Sequence, residues 1–116
     1  MDTPLHPERT DYRKADLLVL EIIDIVSAYM KAERGDIEER IWKAYIFARE
    51  AHEGQLRKSG EPYITHPLEA VKLLLLLKPD IISIQSCILH DVIEDTLRTK
   101  DEIQETFGND VASICE

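Results

Sequence analysis

The chain has 116 residues, 44% of them hydrophobic, which is one domain's worth of sequence with enough apolar content for a packed core. Fourteen Lys and Arg stand against 23 Asp and Glu, a formal net charge of −9. That balance excludes a general nucleic-acid coat, which needs a basic face, but not a small anion held at one local site.

Two cysteines, Cys87 and Cys115, fit neither a zinc-finger nor a disulfide-scaffold spacing. The longest charge-free run, Ile81 to Leu89, is far short of the ~20 residues a membrane span needs. Met1 to Lys14 has no apolar signal core. A cytoplasmic, reducing location without membrane insertion follows.

Residues 1–11 carry two prolines and mixed charge, and read as a flexible N-terminal arm. From Tyr12, apolar residues recur at helical spacing through Tyr29, and Gly35 offers a stop. Asp36 with Glu39 suggests a capping box for a second helix over Ile37 to His52. Its alanines, Ala44, Ala48 and Ala51, permit close approach of a neighbour. Gln55 to Thr65 is a loop punctuated by Gly60 and Pro62.

Pro67 suits the first position of a third helix. Five consecutive leucines, Leu73–Leu77, predict that this helix is buried nearly all round. Lys78-Pro79-Asp80 breaks it, and Asp80 caps a fourth helix running from Ile81 to about Asp95. Thr99 with Glu102 forms a capping box for a short helix that Gly108 closes, and Asn109 caps the last. The fold class expected is all-α, a bundle of five to six helices.

The chemistry concentrates in His90-Asp91-Val92-Ile93-Glu94-Asp95. On a continuous helix His90, Asp91, Glu94 and Asp95 share one side. Three carboxylates and an imidazole against an apolar helix are costly unless a cation compensates them. His-Asp neighbours offer one nitrogen and one oxygen to a divalent ion, a donor mix suited to manganese, iron or zinc. Glu94 and Asp95 are placed to activate water or to support the ligands. The plainer alternative is a solvated helix face, although carboxylates near a helix C-terminus oppose its dipole.

His66, at a helix N-terminus, keeps a lone pair free because the dipole disfavours the imidazolium. Arg57-Lys58-Ser59-Gly60-Glu61-Pro62-Tyr63 combines two cations, a hydroxyl, a flexible glycine and an aromatic ring. Such a loop can clamp phosphate and stack on a base, or be an ordinary polar loop. His52 reads as a buried, hydrogen-bonded structural histidine.

Taken together, Ala44-Tyr45, Ala51-His52-Glu53-Gly54-Gln55, Arg57 to Pro67, Leu89 to Thr96 and Phe107-Gly108 resemble the N-terminal HD hydrolase domain of RelA/SpoT homologues, the bacterial enzymes of the alarmone (p)ppGpp. The resemblance runs from about Leu17 to the C-terminus and assigns residues 12–116 to one HD domain. It implies an all-helical HD fold with one manganese ion and hydrolysis of the 3′-pyrophosphate of ppGpp or pppGpp, giving GDP or GTP plus pyrophosphate. By position, His66, His90 and Asp91 would be metal ligands. Glu94 and Asp95 would position or activate the attacking water. Arg57 would stack on guanine, with Lys58 and Ser59 helping to hold the nucleotide.

The family also uses a later helix with an Ala-Asp-Arg-Leu-His-Asn-like motif, whose Asp is a fourth protein ligand. This chain ends at Glu116 before such a segment. The expectation is therefore a domain incomplete at its C-terminus, part of a bifunctional protein, with impaired activity and a face open to self-association. The alternatives are an HD phosphohydrolase of another nucleotide, and a non-catalytic helical module for binding or assembly.

Overall fold

The computed structural model describes residues 10–115. Most of the expected N-terminal arm, and Glu116, lie outside the described residues. The helices are α1 (Arg13–Tyr29), α2 (Arg34–Ala51), α3 (Thr65–Leu74, extended by a 3-10 turn over Leu75–Leu77), α4 (Ile81–Ile88), α5 (Val92–Asp95), α6 (Lys100–Phe107) and α7 (Asn109–Cys115). Among the described residues there is no strand, only a single antiparallel bridge between Leu56 and Pro62. The all-α class stands, with six helices longer than one turn and α5 as a single turn. No helix among the described residues is long and apolar enough to cross a membrane.

α2 packs against α1 and α4, and α4 in turn meets α3 and α7. Ala44 and Ala48 are fully buried, as their small size allows where helices approach closely. Ile22 and Ile23 of α1, Ile41 of α2, Leu68 of α3, and Ile84 and Ile88 of α4 fill the same core. Tyr45 is buried with them, and its hydroxyl donates to Asp16 Oδ1 at 2.6 Å, so its polar tip is satisfied. Burial, with Asp16 beside it, pushes the Tyr45 phenol well above its ordinary range. α7 closes onto α4, with the Cys115 thiol donating to the Ser86 carbonyl at 3.6 Å.

Several expected boundaries moved. The first helix ends at Tyr29, with Met30 already extended, and Gly35 lies inside α2. Asp36 sits in the first turn of α2 and makes no capping bond; Glu33 holds the cap position. Arg34 reaches Asp24 of α1 at 2.6 Å and Glu38 at 3.4 Å, which accounts for the extra turn. α3 starts at Thr65, leaving Pro67 in the first turn, where its missing N–H costs no helical bond.

The leucine run is not buried all round. Leu73, Leu76 and Leu77 are 72%, 83% and 80% exposed, and Leu75 alone is buried. The 3-10 turn explains the arrest of the helix, since Lys78 then takes a left-handed conformation (φ 51°) and its N–H bonds to the Leu75 carbonyl at 3.0 Å. Asn109, expected to cap the last helix, is instead the first residue of α7, and the remaining punctuation behaves as expected. Asp80 accepts from the Ser83 N–H at 2.8 Å, and that bond holds the Asp80 carboxyl below its usual range. Thr99 and Glu102 form the reciprocal capping box, and Gly108 ends α6 at φ 97°.

Candidate functional site

The fourth helix does not run through to Asp95. It ends at Ile88, and Leu89, His90 and Asp91 form a turn before the single turn of α5. Leu89 (φ −91°, ψ 1°) and Asp91 (φ −95°, ψ 3°) occupy the bridge region, which ends a helix without a glycine. Leu89 and Val92 are fully buried and anchor the turn from below. The side chain of His90 is 72% exposed and that of Asp91 only 19% exposed. The helix break thus lifts one functional group into solvent and tucks its neighbour inward.

His90 Nδ1 lies 2.9 Å from Asp91 Oδ1. A carboxylate only accepts, so Nδ1 is the donor, and in a neutral ring with Nδ1–H it is Nε2 that keeps the lone pair. That is the tautomer in which an imidazole can ligate a metal through Nε2. His66, exposed in the first turn of α3, lines the same cavity of about 420 Å³ as His90, with Ser83, Ser86 and Cys87 between them. Small side chains of α4 therefore line the cavity that both imidazoles border.

Asp91 also faces the hairpin. Its Oδ2 accepts a short hydrogen bond from the Tyr63 hydroxyl. Among the described residues no three His, Cys, Asp or Glu side chains converge into a metal cluster. The expected ligands are thus brought together in pairs, His66 with His90 across a cavity and His90 with Asp91 by contact, and not as one closed triad. The donor set still fits a divalent ion in kind: two imidazoles and a carboxylate whose oxygens each keep a lone pair beyond the bonds they accept. Glu94 and Asp95 are exposed on α5.

The Arg57–Tyr63 segment is a small hairpin. The Arg57 N–H donates to the Glu61 carbonyl at 2.7 Å, the Gly60 N–H to the Arg57 carbonyl at 2.8 Å, and the Tyr63 N–H to the Gln55 carbonyl at 2.9 Å. Gly60 has φ 92°, a conformation that other residues adopt only at a cost. Arg57 Nη1 bonds Glu69 Oε1 at 2.8 Å and lies 3.6 Å from Glu61 Oε1. The bond to Glu69 engages one edge of the guanidinium, and a planar guanidinium can also stack through its faces. Lys58 and Ser59 are exposed, and Ser59 lines a separate cavity of about 330 Å³ with Lys14 of α1. Lys14 bonds Glu61 at 2.5 Å and holds that carboxyl below its usual range.

His52 is buried, as expected, at the end of α2. Its Nδ1 meets Gln55 Oε1 at 3.0 Å, and Gln55 Nε2 donates to the Asp95 carbonyl at 2.8 Å. Gln55 and Lys14 were missed from sequence, because a lone Gln and a helical Lys carry no spacing signal. Tyr63 was visible only as an aromatic member of its loop. Its ring is tilted against two imidazoles, its centroid 4.7 Å from that of His52 and 5.7 Å from that of His66. Burial, with Asp91 beside it, raises the Tyr63 phenol far above its ordinary range, so the hydroxyl remains a donor.

Comparison with known proteins agrees with this architecture. The family profile described as HD domain matches residues 44–116, from the middle of α2 onward. A GTP pyrophosphokinase of Myxococcus xanthus is 53% identical over 76 residues, 66% of this chain and 10% of that protein. The bifunctional (p)ppGpp synthase/hydrolase SpoT of Escherichia coli is 47% identical over 78 residues, 67% of this chain and 11% of that protein. A guanosine-3′,5′-bis(diphosphate) 3′-pyrophosphohydrolase of Aquifex aeolicus is 49% identical over 78 residues, with the same coverage. The chain spans about a tenth of the length of these curated relatives. An all-helical bundle that breaks a helix at His90-Asp91, and a profile match across most of its length, place this chain in the HD-domain family.

Proposed function

We propose that the chain is the hydrolase unit of a RelA/SpoT-type protein and cleaves the 3′-pyrophosphate of ppGpp or pppGpp. One observation carries this reading. The turn at His90-Asp91 shares a cavity with His66 and is joined through Tyr63 to the Arg57–Tyr63 hairpin. Imidazole and carboxylate donors therefore lie next to a loop with the chemistry to hold a nucleotide. The names of the curated relatives point to the same reaction.

HD hydrolases work with divalent metals, and here His66, His90 and Asp91 would hold the ion, manganese by resemblance. The ion supplies Lewis acidity and offsets the charge of the pyrophosphate. The chain's own residues do the rest. Arg57 presents a guanidinium face to guanine, with its edge pinned by Glu69. Lys58 and Ser59 contribute a cation and a hydroxyl to the phosphates. Glu94 and Asp95, projecting from α5, orient the attacking water and accept its proton. Water oxygen bonds to the nearer phosphorus of the 3′-pyrophosphate, the ribose 3′-oxygen–phosphorus bond breaks, and the 3′-oxygen leaves with a proton. The products are GDP or GTP and pyrophosphate.

Free Cys87 and Cys115 suit the cytoplasm, where the substrate is made and consumed in this reading. Exposed Leu73, Leu76 and Leu77 support self-association of the chain. The test is pyrophosphate release from ppGpp with manganese, wild type beside His90→Ala. Release lost in the variant supports the reading. Manganese-dependent turnover of a different nucleotide, with ppGpp untouched, would replace it with another HD phosphohydrolase activity.

A further inference from the structure

Tyr63 connects the two halves of the site. Its main chain is pinned on both sides: its N–H donates to the Gln55 carbonyl at 2.9 Å, and its carbonyl accepts from the His66 N–H at 2.9 Å. Its ring lies between two imidazoles, 4.7 Å from His52 and 5.7 Å from His66. His52 cannot easily yield, because it is buried and its Nδ1 is bonded to Gln55. A side chain fixed at its backbone and on its ring delivers its hydroxyl to one place, and that place is Asp91 Oδ2.

The Asp91 main chain is held in its turn, its carbonyl accepting from the Asp95 N–H at 2.9 Å, while its carboxylate meets two side chains, the exposed His90 and the anchored Tyr63. The Tyr63 hydroxyl is therefore the contact that fixes the direction of the carboxylate. A carboxylate oxygen that accepts one hydrogen bond keeps a lone pair for a cation, so the contact orients Asp91 without consuming it. Carboxylates that ligate metals are commonly held in this way by neighbouring donors.

We propose that Tyr63 is a positioning residue: its hydroxyl holds the Asp91 carboxylate in the orientation needed to bind the divalent ion, and so ties the nucleotide-binding hairpin to the metal centre. This rests on the proposed reading of Asp91 as a ligand. It assigns to the hairpin a second duty beyond contact with the nucleotide. Metal affinity should then depend on a residue that touches neither the ion nor the substrate.

Tyr63→Phe is the natural test, because it keeps the ring between His52 and His66 and removes only the hydroxyl. Manganese affinity of the 116-residue chain is measured by electron paramagnetic resonance titration, without nucleotide. The temperature is chosen from metal-free melting curves so that wild type and variant are both folded. The expected result is a loss of affinity of roughly 10–100-fold. In ppGpp turnover at subsaturating manganese, kcat should fall and recover as manganese is raised, with KM for ppGpp unchanged. A Tyr63→Phe chain that is folded and binds manganese as tightly as wild type overturns the proposal and leaves the site reading intact. A wild-type chain that binds no manganese overturns both. A purely structural role for the hydroxyl would lower the metal-free melting temperature and leave the affinity of the folded chain unmoved, which also overturns the proposal.

Discussion

The helices α2 and α4 meet in the core yet end differently. α2 runs 18 residues without interruption, and its buried positions Ile37, Ile41, Ala44, Tyr45 and Ala48 all serve packing. α4 stops after eight residues, and the chain turns at Leu89-His90-Asp91 before it resumes as α5. Both segments have fully buried apolar residues, Ile41 and Ala48 in one, Ile88, Leu89 and Val92 in the other. The difference lies in what the backbone does beside them. An unbroken helix can only repeat its faces every 3.6 residues. A break lets adjacent residues diverge, so that His90 faces solvent and Asp91 turns to Tyr63. Packing favours continuity, and the candidate chemistry sits at the interruption.

That contrast is most sharply broken by swapping the consequences of substitution. In the proposed hydrolysis, His90→Ala should abolish pyrophosphate release with manganese, a loss larger than the roughly 100-fold expected when only a supporting residue is removed. Because the His90 side chain is mostly exposed, the metal-free melting temperature should hardly move. Ile41→Ala should do the opposite to stability. Ile41 is fully buried where α2 meets its neighbours, and its truncation should cost about 2–5 kcal/mol. At about 4–8 °C per kcal/mol for a domain near this size, the melting temperature would fall by about 8 °C or more. If His90→Ala lowered the melting temperature as much as Ile41→Ala, the turn would be part of the packed core and the distinction would fail.

The sequence was readable wherever local rules decide the outcome. Asp80, the Thr99–Glu102 pair and Gly108 act through bonds within four residues of themselves, and each took its expected place. The readings that failed turned on a contact with another helix or on a backbone turn that no local signal in the sequence announces. Gly35 looked like a stop, but Arg34 pairs with Asp24 on α1 and draws the glycine into α2. Five leucines looked like a buried helix, but a 3-10 turn and left-handed Lys78 end the segment with three of them in solvent. The site shows the same division. His66, His90, Asp91 and Arg57 stood out by type and spacing, whereas Tyr63 and Gln55 gain their roles only through contacts 28 and 40 residues away.

The capping residues offer a smaller comparison between the ends of two helices. Thr99 Oγ1 accepts from the Glu102 N–H at 3.2 Å, and Glu102 returns a bond to the Thr99 N–H at 2.9 Å. Thr99→Ala should cost about 1 kcal/mol in denaturant unfolding. Asp36, which resembles a cap in sequence but makes no capping bond, should cost less when changed to Ala. Equal losses at the two positions would mean that Asp36 caps α2 in solution.

The smallest effect concerns the seam between α4 and α7. Burial pushes the Cys115 thiol up to about 11, and also raises Cys87. An unfolded chain releases the thiol proton near pH 9, whereas the folded chain resists doing so. The raised value thus favours the folded state below about pH 9, and that contribution is lost as pH climbs toward about 11. The buried tyrosines are raised as well, but from an ordinary value of 10.0, so they add little below pH 10. Between about pH 9 and 10 the decline in melting temperature therefore reports mainly on the thiols. Replacing Cys115 by Ala removes the larger of the two contributions. Its melting temperature should start slightly lower at pH 8, because the Sγ contact with Ser86 is gone, and then fall less steeply with pH than that of wild type. Parallel slopes for the two proteins would show that Cys115 is hydrated in solution and that α7 does not stay closed on α4.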